Sequence, residues 1–163
     1  MSIAEHIKKS LMAPEYVVNA YLADLSDEDL LLRPASGINP INWQVGHLIA
    51  SEHQLVEAIC PGSMPALPED FTQVYDRENA SSEDTSHYFS KEDLLKLMQE
   101  QRAATLAAAE SLTDEEMMKP APEHLQRIGE TVGAIFAMQG THWMMHAGQW
   151  VLVRRQLGKE VVI

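Results

Sequence analysis

Apolar residues recur at helical spacing along four stretches of the chain, and this pattern most constrains what it can fold into. In the clearest stretch Ile41, Leu48, Leu55 and Ile59 fall at offsets of 0, 7, 14 and 18 residues, close to whole helical turns, so they line one face. No stretch alternates apolar and polar residues for long enough to make a convincing strand, and the class is expected to be all-α. The first helix is predicted over 2–24, carrying Ile3, Ile7, Leu11, Val17 or Val18, Tyr21 and Leu25, with Pro14 as a kink or a restart. After a turn over Ser26 to Ser36, a second helix can begin near Asn39, whose side chain can cap it, with Pro40 in the first helical position. It runs to about Cys60, where Pro61-Gly62 stops it. Ser90 and Asp93 resemble a capping box ahead of a third helix bearing Leu94, Leu95, Met98, Thr105 and Leu112. A polar connection over Thr113 to Gly129, with one short turn at Asp114 to Met118, leads to a fourth helix over Glu130 to Leu157. Arg154 and Arg155 occupy its last turn and Gly158 follows as the stop. The stretch from 61 to Lys91 has no sustained period and reads as a long, partly ordered crossover. Four helices with one long second connection predict a single domain over 1–163. Its fold would be a four-helix bundle with a crossover between helices 2 and 3, which would let those two run parallel.

Charge narrows the partners. Twelve Lys and Arg stand against 24 Asp and Glu, a net charge of −12, with no basic cluster. Nucleic acid and anionic membrane surfaces both require basic residues to displace counterions, so a small molecule or another protein is the expected partner. The uncharged apolar run from Val132 to Met138 is far short of a membrane span. Cys60 is the one cysteine, which excludes an intrachain disulfide, and Glu5, Lys8, Lys9 and Pro14 leave no apolar signal segment at the start. The expectation is a soluble, cytoplasmic protein. Residues 61–93 hold eight acids and two bases, hence half of the net charge. They lie off the helix faces that carry the histidines discussed next, so the charge reads as a matter of solubility, with the crossover either covering a site or simply solvated.

Seven histidines differ in context. His6, His87 and His124 sit in polar surroundings and read as surface residues. His142 and His146 are spaced i, i+4 on the fourth helix, which places both rings on one side, within reach of one metal ion. Ile135, Met138, Gln149 and Val153 share that face, the one a bundle would bury. Two imidazoles there would each need a partner, and a metal satisfies both at once. His47, beside the Leu48 stripe, is the candidate third ligand, whereas His53 faces elsewhere. Three imidazoles with an open position match a catalytic metal site better than a structural one. No Glu precedes any histidine by three residues, which disfavours a di-iron centre, and no Glu follows His142, which disfavours a zincin protease. Ser51 and Gln149, one turn beyond His47 and His146, could orient ligands or substrate. Trp43, Trp143 and Trp150 could line a pocket or simply pack the core or a dimer surface.

The run Asn39-Pro40-Ile41-Asn42-Trp43-Gln44-Val45-Gly46-His47-Leu48-Ile49-Ala50-Ser51-Glu52 and the run Thr141-His142-Trp143-Met144-Met145-His146-Ala147-Gly148-Gln149 together resemble the DinB/YfiT-like superfamily of metalloenzymes. The resemblance covers essentially the whole chain. It implies a four-helix bundle, commonly a homodimer, holding a divalent metal on three histidines, here His47, His142 and His146. It also implies a reaction class: characterised relatives are transferases or isomerases using low-molecular-weight thiols, and related bundles form the iron-binding part of sulfoxide-forming enzymes. Zinc is the first expectation for three imidazoles and an open site, with nickel, iron and manganese as alternatives. The leading reading is a metal-dependent, thiol-using transferase. The competing ones are a metal-dependent hydrolase, a metal-binding or sensing module without catalysis, and a bundle whose histidines bind nothing.

Overall fold

Four long helices carry the architecture. The computed structural model describes residues 1–80 and 82–161, and among these only helices and turns occur, apart from one isolated bridge between Pro120 and Thr131. In chain order the helices are α1 (Ile3–Ala23), α2 (Asp27–Leu30), α3 (Ile41–Ile59), α4 (Phe71–Val74), α5 (Lys91–Ser111), α6 (Asp114–Met117) and α7 (Val132–Gln156), with 3-10 turns at Arg77–Asn79 and Glu123–Leu125.

Each long helix forms where the periodicity placed it. The Ser2 side chain accepts from the Glu5 amide while Glu5 accepts from the Ser2 amide, so α1 opens on a capping box. The helix then runs unbroken through Pro14, which packs beneath Gly140 of α7. A Cβ at position 140 would lie 2.9 Å from Leu11 and 3.2 Å from the Pro14 ring, so glycine is what lets the two helices approach there. The C-terminal ends of α1 and α7 are tied by Arg154, buried, which donates to the Tyr21 carbonyl and to the Asp24 carboxylate. Arg154 and Arg155 both stand in the last turn of α7, as expected.

Three details depart from expectation. Asn39 does not cap α3: Pro40 occupies the cap position without a side-chain bond, and the Asn39 carbonyl instead accepts from Gln44 Nε2 at 2.7 Å. Ser90 does cap α5, but Asp93 returns its bond to the Ser90 hydroxyl and not to the backbone, so the box is half formed. The Ser26–Ser36 turn contains a full helical turn, α2, closed by its own Ser26–Asp29 capping box.

The largest difference lies between α3 and α5. Residues 61–90 contain α4 and a 3-10 turn, anchored by Phe71 and Tyr75, both buried. Tyr75 donates from its hydroxyl to Asn42 Oδ1 at 3.0 Å and accepts from the Phe89 amide at 2.9 Å, while Asn42 Nδ2 donates to the Phe89 carbonyl at 2.8 Å. This closed ring of bonds fixes the crossover against α3. The Tyr75 ring lies directly on the backbone at Gly46, where an added Cβ would overlap it. A glycine one residue before His47 therefore decides how close the crossover comes to that imidazole.

Candidate metal centre

Two helices build the site, and two indoles fix how they meet. On α3, Gln44 and Glu52 bracket His47, and each accepts a hydrogen bond from a tryptophan of α7. Trp150 Nε1 donates to Gln44 Oε1 at 3.0 Å, and Trp143 Nε1 donates to Glu52 Oε2 at 2.8 Å. The earlier acceptor pairs with the later tryptophan, so α3 and α7 run in opposite directions. Burial of Trp143, Ala147, Trp150 and Val153 against Trp43, Val45, Leu48 and Ile49 supplies the apolar part of the same contact.

This register brings the imidazoles of His47, His142 and His146 together. Each offers a nitrogen such that all three atoms lie within 4.8 Å of one another, with ring centroids 5.1–5.8 Å apart. The group is half-buried, at the rim of the core and not inside it. The reason is angular. The buried stripe of α7 runs through Ile135, Gln139, Trp143, Ala147 and Trp150, and His142 sits about 100° from Trp143 around the helix. One side of the cluster is therefore open to a cavity of about 270 Å³ that His47 lines together with Ser51 and residues of the crossover.

Hydrogen bonding sets the state of one ring. Gln44 Nε2 donates to the Asn39 carbonyl, and an indole N–H can only donate, so Gln44 Oε1 must be the acceptor facing Trp150. The same oxygen lies 2.8 Å from His146 Nδ1, which must then carry the proton. A neutral His146 consequently keeps the lone pair on Nε2, free for an ion. Trp43 stacks flat on His47, with centroids 4.9 Å apart and planes within 6°. Burial pushes the pKa of all three imidazoles down; the Arg77 charge adds to this at His47 and His142, neighbouring imidazoles add to it at His142 and His146, and these last two fall to about 4. At neutral pH they are unprotonated and able to ligate.

Those shifts predict a pH dependence for the metal-free protein. Unfolded histidine titrates near 6.5, so between about 6.5 and about 4 the unfolded chain binds protons that the folded one refuses. Stability contributed by His142 and His146 is thus complete above 6.5 and lost as pH falls toward 4. Urea midpoints measured across this range should drop more steeply for the parent than for a His142→Gln, His146→Gln variant.

The other residues singled out in the sequence separate cleanly. Ser51 lines the His47 cavity, and Gln149 lines a shallow depression with His146 and Gln44. The side chain that hydrogen-bonds an imidazole of the cluster is Gln44, which sequence reasoning missed although it lies three residues before His47. Trp43 contacts the site through His47, while Trp143 and Trp150 are core residues that hold its frame. His53 is half-buried, with Nδ1 3.1 Å from Gln101 Oε1, and His6, His87 and His124 are exposed. The crossover is not remote from the histidines, as its charge had suggested: Thr72, Tyr75, Asp76 and Arg77 line the cavity at His47.

A family model for the DinB superfamily matches residues 15–150, which span every element of the site. The chain belongs to the DinB superfamily. No curated protein matches it. For a DinB-superfamily chain the donor set is well suited to a divalent cation, because three neutral imidazoles from two rigid helices converge and one has its ligating nitrogen fixed by a buried amide.

Proposed function

We propose that this chain is a divalent-metal enzyme, holding the ion on His47, His142 and His146 and acting on a small molecule that enters from the adjoining cavity. The observation that carries this reading is the approach of three half-buried imidazole nitrogens within 4.8 Å of one another, from α3 and α7. Zinc suits such a donor set best. A bound cation would supply a Lewis acid that lowers the pKa of a coordinated water or thiol. The protein's own part is to present unprotonated nitrogens, to hold the His146 ring through Gln44, and to cover one face of His47 with Trp43. Transfer to or from a low-molecular-weight thiol is the reaction class favoured, in keeping with the family resemblance. The same reading takes the chain as one bundle domain, with α3 and α5 parallel across the crossover, working as a homodimer in the cytoplasm.

Metal analysis of protein purified without an affinity tag tests it. About one equivalent of divalent metal per chain is expected, and less than about a tenth would overturn the proposal. Thiol-dependent turnover of an electrophile, lost in a folded His47→Ala variant, would identify the enzyme. Metal without turnover across a broad thiol panel would favour a sensing module or a hydrolase.

Gln44 gives a finer check. Gln44→Met removes the acceptor for both His146 and Trp150, and partners of this kind typically contribute 10–100-fold to metal affinity, so a weakening of about that size is expected in chelator competition. Imidazole nitrogen shifts of metal-free protein should show His146 protonated at Nδ1 in the parent and mixed in the variant.

A further inference from the structure

The cavity beside His47 has two unlike walls. Ala50 and Leu55 of α3 and Ile128 from the loop before α7 form an apolar side, and Ile128 is 45% exposed. The 3-10 turn of the crossover, bearing Asp76 and Arg77, lines the same cavity. Asp76 is committed locally, because its carboxylate accepts from the Glu78 amide at 3.2 Å and so caps the turn. Arg77 has no such commitment. Its guanidinium makes no ion pair or hydrogen bond to any other side chain or carbonyl among the described residues, although the segment from 61 to 93 holds eight acids. A guanidinium without a partner among the described residues thus lines the same cavity as His47.

From this juxtaposition we infer that the cavity binds a small amphipathic molecule with an oxyanion end, carboxylate or phosphate, which pairs with Arg77 while its apolar body lies on Ala50, Leu55 and Ile128. The volume of about 270 Å³ suits a compact metabolite and not a polymer. Guanidinium matches both oxyanions because its N–H groups form a planar fork that fits two oxygens at once. The inference builds on the proposed metal reading, since it assigns the substrate class of that same site, yet Arg77 and the apolar wall would select their ligand without an ion.

The test is binding, measured by calorimetry on full-length protein, both metal-free and zinc-loaded, with hexanoate, hexyl phosphate and neutral hexanol as probes. The anionic probes should bind at least about tenfold more tightly than hexanol, the size expected for one charge-assisted pair. Arg77→Gln should remove that preference, leave hexanol binding unchanged and alter zinc affinity by less than about threefold, while Arg77→Lys should restore part of it. Whichever of hexanoate and hexyl phosphate binds more tightly names the oxyanion. Equal binding of hexanol and hexanoate, or hexanoate binding indifferent to Arg77→Gln in folded protein, overturns the inference. Failure to take up zinc with the anion preference intact would overturn the metal reading alone.

Discussion

Replacing Glu52 with alanine is expected to lower the unfolding free energy by about 3–5 kcal/mol, the range for breaking a buried ion pair on one side. Glu52 is 2% exposed and accepts three bonds: from Arg102 at 3.0 Å, from Trp143 at 2.8 Å and from Thr105 at 2.7 Å. Alanine leaves the Arg102 cation, also buried, without a counter-charge, and leaves an indole N–H and a hydroxyl unbonded. The carboxylate is the hub that joins α3 to both α5 and α7, so its loss loosens two helix contacts together. Glu52→Gln keeps the volume and an acceptor oxygen and should lose distinctly less. Replacing Glu52 and Arg102 together with methionine should recover part of the alanine loss, because no unpaired charge stays buried. Urea denaturation of the three variants decides the matter; a loss below about 1 kcal/mol for Glu52→Ala would show that the pair is weakly coupled to folding.

The second large effect concerns metal and not stability. His142→Ala should weaken zinc binding by more than about 100-fold, beyond what loss of an outer hydrogen-bond partner brings, while thermal unfolding of the metal-free protein changes little. The contrast follows from position. His142 is half-buried, its ring meets those of His47 and His146, and it makes no side-chain hydrogen bond among the described residues, whereas its neighbour Trp143 is buried and bonded to Glu52. Chelator competition against the parent, with circular dichroism to confirm folding, reads both halves. Zinc affinity within about threefold of the parent in a folded variant would exclude His142 as a ligand.

The long helices were legible because Ile41, Leu48 and Leu55, or Leu94 and Met98, repeat over several turns, enough for a period to stand out. Phe71 and Tyr75 stand one turn apart, and two apolar residues four apart in a polar loop carry too little pattern to announce α4. The histidine cluster was legible for a local reason, the i, i+4 spacing of His142 and His146, and for a more distant one, His47 beside a buried stripe. Gln44 was missed because a glutamine reads as surface, yet it shares a side with His47 and turns out buried. Glu52 offered a signal of its own: an acid four residues after Leu48 and three before Leu55 sits on the apolar stripe and must find a partner. Which partner is a long-range fact, since Arg102 and Trp143 lie 50 and 91 residues away in the chain.

The seat of Tyr75 on Gly46 divides the labour of the molecule. Gln44, Glu52 and the two tryptophans belong to the frame that holds the imidazoles, while the turn that follows Tyr75 is a wall seated on that frame through Phe71, Tyr75 and the bonds among Tyr75, Asn42 and Phe89. A chimaera that keeps Phe71 and Tyr75 and exchanges only residues 76–79 would inherit the imidazole geometry unchanged and acquire a different ligand. In this chain the economical route to new chemistry runs through four exposed residues and leaves every helix where it is.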